Sequence, residues 1–109
     1  VYLELYSPYK TAGKDSYVND LLELAGYENI ASDLSKSGLL SKESILERQP
    51  EIILFVKGFT TAAEIAGRSG FGILPAVKNK RICGIDRNLL ITGVDPEKAI
   101  AAMQACLPE

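Results

Sequence analysis

Few side chains in this sequence could do covalent or metal chemistry, and their spacing rules out the common arrangements. The 109-residue chain has no histidine and two cysteines, Cys83 and Cys106. With no imidazole there is no ready base for a serine or cysteine nucleophile. Cys83 lies in an apolar run, not in an electropositive setting that would lower its pKa. A zinc site would need closely spaced cysteines and carboxylates, and the sequence offers none. The two cysteines read as small buried apolar side chains. A disulfide is open to them if the protein is exported, but spacing alone does not decide it. Carboxylates are plentiful, yet none is expected to pair with another at a strand end in an apolar setting. Asp86, the nearest candidate, reads as a solvated strand-terminal residue. The expectation is no catalytic residue, no metal ligand and no cofactor.

Phosphate chemistry fares no better. TAGKDS, Thr11 to Ser16, places Gly13–Lys14 before a helix in the manner of a nucleotide-binding loop. That motif needs a glycine where Pro8 stands and a hydroxyl residue where Asp15 stands. No dinucleotide fingerprint follows the first strand. Ser7, Thr11 and Ser16 make only a loose imitation of a flavin phosphate loop. The first strand ends in Tyr6–Ser7, not in the acidic cluster of a phospho-receiver domain. The net charge of −2 gives no basic field for nucleic acid or an anionic membrane. No apolar run reaches the length of a membrane-spanning helix.

The elements that would carry a site are clearer. Apolar residues make up 47% and charged residues 24%, the balance of an ordinary single domain. Val1 to Tyr6 reads as a strand, and Ser7 to Gly13 as a loop. A helix follows, capped by Asp15 or Ser16, with Val18, Leu21, Leu22 and Ala25 on its buried face and Gly26 at its left-handed end. A very short strand is expected around Asn29 to Ala31. Ser41 caps the next helix, with Leu40 and Ile45 at hydrophobic-staple spacing, and Pro50 stops it. EIILFV, Glu51 to Val56, is apolar throughout, which marks a strand covered on both faces. Thr61 and Glu64 form a capping box for a short helix, which Gly67, Gly70 and Gly72 break up. Pro75 to Asn79 makes one more turn, and Arg81 to Asp86 a strand. After the loop Arg87 to Val94, Asp95 and Pro96 open a final helix, with Ala99, Ile100, Met103, Cys106 and Leu107 inward.

Strands alternating with helices predict an α/β domain: a three-layer, Rossmann-like αβα arrangement with a mostly parallel sheet. Such sheets bind ligands in loops beyond the carboxyl ends of the strands. Here those loops are Ser7–Gly13, Lys57–Thr60 and Arg87–Gly93. From position and chemistry, Tyr9, Lys57, Phe59, Arg87 and Asn88 are the candidate ligand contacts. Tyr9, Phe59 and Leu89 are expected to form part of an exposed apolar patch.

Four segments carry a family resemblance: GKDSYVNDLLELAGYENI (Gly13 to Ile30), SKESILERQPEIILFV (Ser41 to Val56), ILPAVKNKRICGID (Ile73 to Asp86) and TGVDPEKAIAAMQACLP (Thr92 to Pro108). In this order they cover most of the chain. They resemble the C-terminal lobe of the substrate-binding proteins of ABC importers for cobalamin, haem and ferric siderophores. The resemblance implies that residues 1–109 are one lobe, with the N-terminal lobe and a long linker helix absent from this sequence. It implies an extracytoplasmic protein, in the periplasm or lipid-anchored at the cell surface. Such a protein holds a metal chelate between two lobes, delivers it to membrane permease subunits and is not an enzyme. It also implies a docking role for Glu43, which matches the glutamate of the family's Ser-x-Glu helix. Two other readings use the same lobe: a stand-alone sensor or interaction domain, and a nitrogenase- or chelatase-like metalloprotein domain.

Overall fold

The computed structural model describes residues 1–34, 38–90 and 95–106. Three parallel strands form the main sheet: β1 (Tyr2–Glu4), β4 (Ile53–Val56) and β5 (Ile82–Ile85), with β4 in the middle. Tyr2, Leu3 and Glu4 stand opposite Ile53, Leu54 and Phe55. Ile53 through Val56 stand opposite Ile82 through Ile85. Two short strands, β2 (Lys10–Thr11) and β3 (Gly38–Leu39), pair antiparallel beside it.

The helices are α1 (Tyr17–Leu24), α2 (Lys42–Arg48), α3 (Ala62–Ala66), α4 (Pro75–Lys78) and α5 (Pro96–Gln104). They cover both faces of the sheet, so every residue of β4 is buried, as its unbroken apolar run requires. The alternation of side chains along a strand divides the core in two. Leu3, Leu54, Val56 and Ile85 pack with Leu21 and Leu22 of α1 and with Ala99 and Met103 of α5. Tyr2, Ile53 and Phe55 pack on the other face with Ile45 of α2, Ile65 of α3, Phe71 and Leu74.

The helix starts follow their side chains. The hydroxyls of Ser16 and Ser41 accept from the N–H of Asn19 and Ser44, each such cap being worth about 1 kcal/mol. Leu40 and Ile45 are both buried, completing the staple. Gln49 takes φ 47°, a left-handed end forced just before Pro50. Asp95 and Pro96 open α5 as expected.

Several expectations need correction. The Ser7–Gly13 segment is not all loop, because the chain turns back at Ser7–Lys10 and Lys10–Thr11 becomes β2. No strand forms at Asn29–Ala31. There the Asn29 amide donates to Ala12 O and Asn19 Oδ1 and accepts from Ala31 N–H, so side-chain bonds take the place of a ladder. Val18 is only half-buried. The box at Thr61 is half made. Thr61 accepts from Glu64 N–H, but the Glu64 carboxylate turns away to Arg68. Leu107 and the end of the Arg87–Val94 loop lie outside the described residues.

The cysteines are also not two separate buried thiols. Cys83 on β5 and Cys106 just beyond α5 are bonded, with Cα atoms 6.0 Å apart. The bridge fastens the last helix to the edge strand. Gly84, next to Cys83, is required by a close approach. A Cβ there would come within 2.9 Å of Phe55 Cζ and Lys57 Cγ, which lie across the strand.

Candidate functional site

The carboxyl ends of β1, β4 and β5 lie side by side, so the segments that follow them share one pole of the sheet. After β1 comes the turn Tyr6–Tyr9, in which Tyr9 takes φ 66°. That conformation costs a non-glycine residue energy and needs local support. After β4 comes Lys57–Thr61, turning at Gly58 with φ 99°. After β5 a 3-10 turn runs over Arg87–Leu90.

Phe59 stands at this pole and is 47% exposed. Its aromatic neighbour is Tyr6, 50% exposed, whose ring meets it edge-on at 5.4 Å. Tyr6 was missed because it reads as the last residue of an apolar strand, and the strand in fact stops at Glu4. The patch expected from Tyr9, Phe59 and Leu89 does not form as one surface. Tyr9 is half-buried, packing edge-on against Phe71 at 6.3 Å. Leu89 packs against the opposite core. The rim aromatics are Tyr6 and Phe59.

Lys57 is exposed, its N–H bonded to Ile85 O. Arg87 and Asn88 are exposed on the third segment, where Asn88 N–H donates to Asp86 Oδ1 at 2.9 Å. Glu43 is exposed in the first turn of α2, two residues past the Ser41 cap.

Between the first two segments lies a cleft of about 470 Å³, lined by Glu4, Pro8, Phe59, Thr60, Glu64 and Arg68, among others. A larger hollow of about 650 Å³ lies at the other pole, beside Val1, Arg48 and Glu51. Parallel α/β sheets present loops for ligands at their carboxyl ends. The smaller cleft therefore defines the candidate site.

The floor of this cleft holds a charged cluster that sequence reasoning did not anticipate. Glu4 is 1% exposed and Arg68 8%. Arg68 donates to both Glu4 oxygens, at 2.5 and 2.8 Å, and to both Glu64 oxygens, at 3.2 and 2.9 Å. Glu4 also accepts from Tyr2 Oη–H at 2.9 Å and Tyr9 N–H at 3.1 Å. The Arg68 guanidinium lies 5.1 Å from the Tyr9 ring centroid and 5.8 Å from that of Phe71. Glu4 and Glu64 do not pair with each other; each is bound by Arg68, and Glu64 is 51% exposed. The bonds from Glu4 raise the Arg68 pKa above its already high ordinary value, against the desolvation of its burial, and those from Glu64 add to the rise. Arg68 and then Thr60 hold the Glu64 carboxyl below its usual range. Burial, followed by the charge of Glu4, pushes the Tyr2 hydroxyl up. The cluster ties β1 to α3 and fixes the geometry of the cleft floor.

A family model described as periplasmic binding protein matches residues 1–89. The chain belongs to the periplasmic binding protein family. Proteins of this family are extracytoplasmic, and a structural disulfide suits an oxidising compartment. Among curated relatives, it is 29% identical over 80 residues to the uncharacterized ABC transporter substrate-binding lipoprotein YvrC of Bacillus subtilis (strain 168). That match takes in 73% of this chain and 25% of the relative. Among solved structures, it is similar to a possible iron-binding (periplasmic solute-binding) protein from Staphylococcus epidermidis ATCC 12228. There the TM-score is 0.86 and the identity 29%, over 99% of this chain and 44% of that one. The periplasmic heme-binding protein HutB of Vibrio cholerae shares the fold, with a TM-score of 0.82 at 24% identity, over 99% of this chain and 46% of that one. The chain therefore spans about a quarter of its curated relative and less than half of these periplasmic binding structures.

Proposed function

We propose that this periplasmic binding lobe is the C-terminal half of the solute-binding component of an ABC importer. In the complete protein it closes with an N-terminal lobe, across a linker helix, on a metal chelate: a ferric siderophore, haem or cobalamin. It then delivers the chelate to the membrane permease. The observation that carries this reading is the strand-end pole, where the half-exposed Tyr6 and Phe59 rings meet edge-on and the segments after β4 and β5 carry the exposed cations Lys57 and Arg87. Flat aromatic edges suit a large planar or aromatic-rich ligand. Lys57 and Arg87 suit its carboxylate or catecholate oxygens. Similarity to the possible iron-binding protein of Staphylococcus epidermidis supports the iron-chelate members of this set.

In this reading Tyr9, Lys57, Phe59, Arg87 and Asn88 form this lobe's share of the contacts, and the Glu43 carboxylate docks on the permease. The test is a titration of the full-length protein with haem, cyanocobalamin, a ferric catecholate and a ferric hydroxamate, followed by absorbance. Saturable one-to-one binding of one chelate is expected. Absence of binding across the panel would overturn the chelate assignment.

A further inference from the structure

Neither rim ring is held by the core. Tyr6 and Phe59 are each about half exposed and lie edge-on to each other, so their separation must be set by the two backbone segments that carry them. The first segment is tied down where Tyr9, in its strained left-handed conformation, donates its N–H to Glu4 Oε1. The second is tied down where the Thr60 hydroxyl donates to Glu64 Oε2. Glu4 belongs to β1 and Glu64 to α3, and one side chain joins them. Arg68 spends its Nε–H and one Nη2–H on Glu64, and its other Nη2–H and an Nη1–H on Glu4. The Tyr9 and Phe71 rings, themselves in contact, both lie near the guanidinium, at 5.1 and 5.8 Å.

We infer that Arg68 is the positioning residue of the rim: by gripping Glu4 and Glu64 together, it sets the distance between the loops that present Tyr6 and Phe59. That the rim faces ligand rests on the proposed function, while the positioning itself does not. Only a planar fork can do this. A lysine ammonium keeps the charge but cannot make two parallel bonds to each of two carboxylates. Without the fork the two carboxylates repel each other, and the segments they anchor move apart.

The experiment uses ligand-free full-length protein with labelled tyrosine and phenylalanine. It compares wild type with Arg68→Lys, which retains the charge, and Glu64→Gln, which alters a carboxylate that is 51% exposed. The expected result in both variants is loss of the Tyr6–Phe59 ring-to-ring NMR cross-peak. Amide exchange at Tyr9, whose N–H is bonded to Glu4 Oε1, should accelerate about tenfold, the worth of roughly one hydrogen bond. Exchange in β4 should stay unchanged. A role confined to helix packing would instead lower global stability and leave the cross-peak intact. A preserved cross-peak with unchanged local exchange in the folded Glu64→Gln protein would overturn the assignment, even if Arg68→Lys failed to fold. Because no ligand is present, a failure of chelate binding would overturn the function without touching this result.

Discussion

Arg68 and Glu4 are separated by 64 positions in sequence and meet in two parallel N–H···O bonds beneath the candidate ligand cleft. Both are nearly fully buried, so removing one leaves the other as an uncompensated charge. Arg68→Met is expected to destabilise the protein by about 3–5 kcal/mol in urea unfolding. Adding Glu4→Gln to it should recover most of that loss. A double variant no more stable than Arg68→Met would show that the pair is not the source of the effect.

Glu64 predicts an acid dependence. Its carboxyl is held below the ordinary value of 4.5, first by Arg68 and then by Thr60. A carboxyl with a lowered folded-state pKa adds stability above its unfolded value and loses it as pH falls through the folded value. The melting temperature should therefore fall on acidification below about pH 4.5, and Glu64→Gln should remove part of that slope. Solvent screening of this half-exposed group keeps its share small. Parallel acid profiles for wild type and variant would contradict the assignment.

The Cys83–Cys106 bridge closes a separation of 23 residues. In the chain-entropy model such a loop is worth about 3 kcal/mol. Cys83→Ala with Cys106→Ala should lower the urea midpoint accordingly, with the earliest loss of amide protection in α5. An unchanged midpoint would mean that packing alone holds that helix.

Glu43 sits in the first turn of α2, exposed and just past the Ser41 cap. A negative charge there gains only about 0.3–1 kcal/mol from the helix dipole. Glu43→Ala should lower the melting temperature by only a few degrees. It should leave chelate affinity intact and weaken binding to the reconstituted permease. Wild-type permease affinity would reduce Glu43 to a helix-start residue.

The parts of the fold written in neighbouring residues could be read from sequence. Ser41 with Leu40 and Ile45, the EIILFV run, and Asp95–Pro96 each act within a turn or a single strand, and each forms as expected. Long-range pairings could not be read. Glu4 reads as the polar position of a strand, and only its approach to Arg68 makes it a buried anion. Cys83 and Cys106 have a separation but no signal for pairing. The two-residue strands β2 and β3 are too short to show alternation. The site followed the same division. The pole and the exposed Phe59, Lys57, Arg87 and Asn88 came from topology, whereas Tyr6 and the charged floor needed the three-dimensional contacts.

The most direct measurement is the affinity of the full-length protein for the chelate it binds in the four-member panel, compared with Phe59→Ala and Arg87→Ala. If this rim forms half of the binding site, the wild-type protein binds that chelate one-to-one. Phe59→Ala should then weaken binding about tenfold or more, as loss of a buried aromatic contact does. Arg87→Ala should cost an anionic chelate about 1.5–3 kcal/mol. Wild-type affinity in both variants would contradict the account, because it would place the chelate away from the carboxyl ends of β4 and β5.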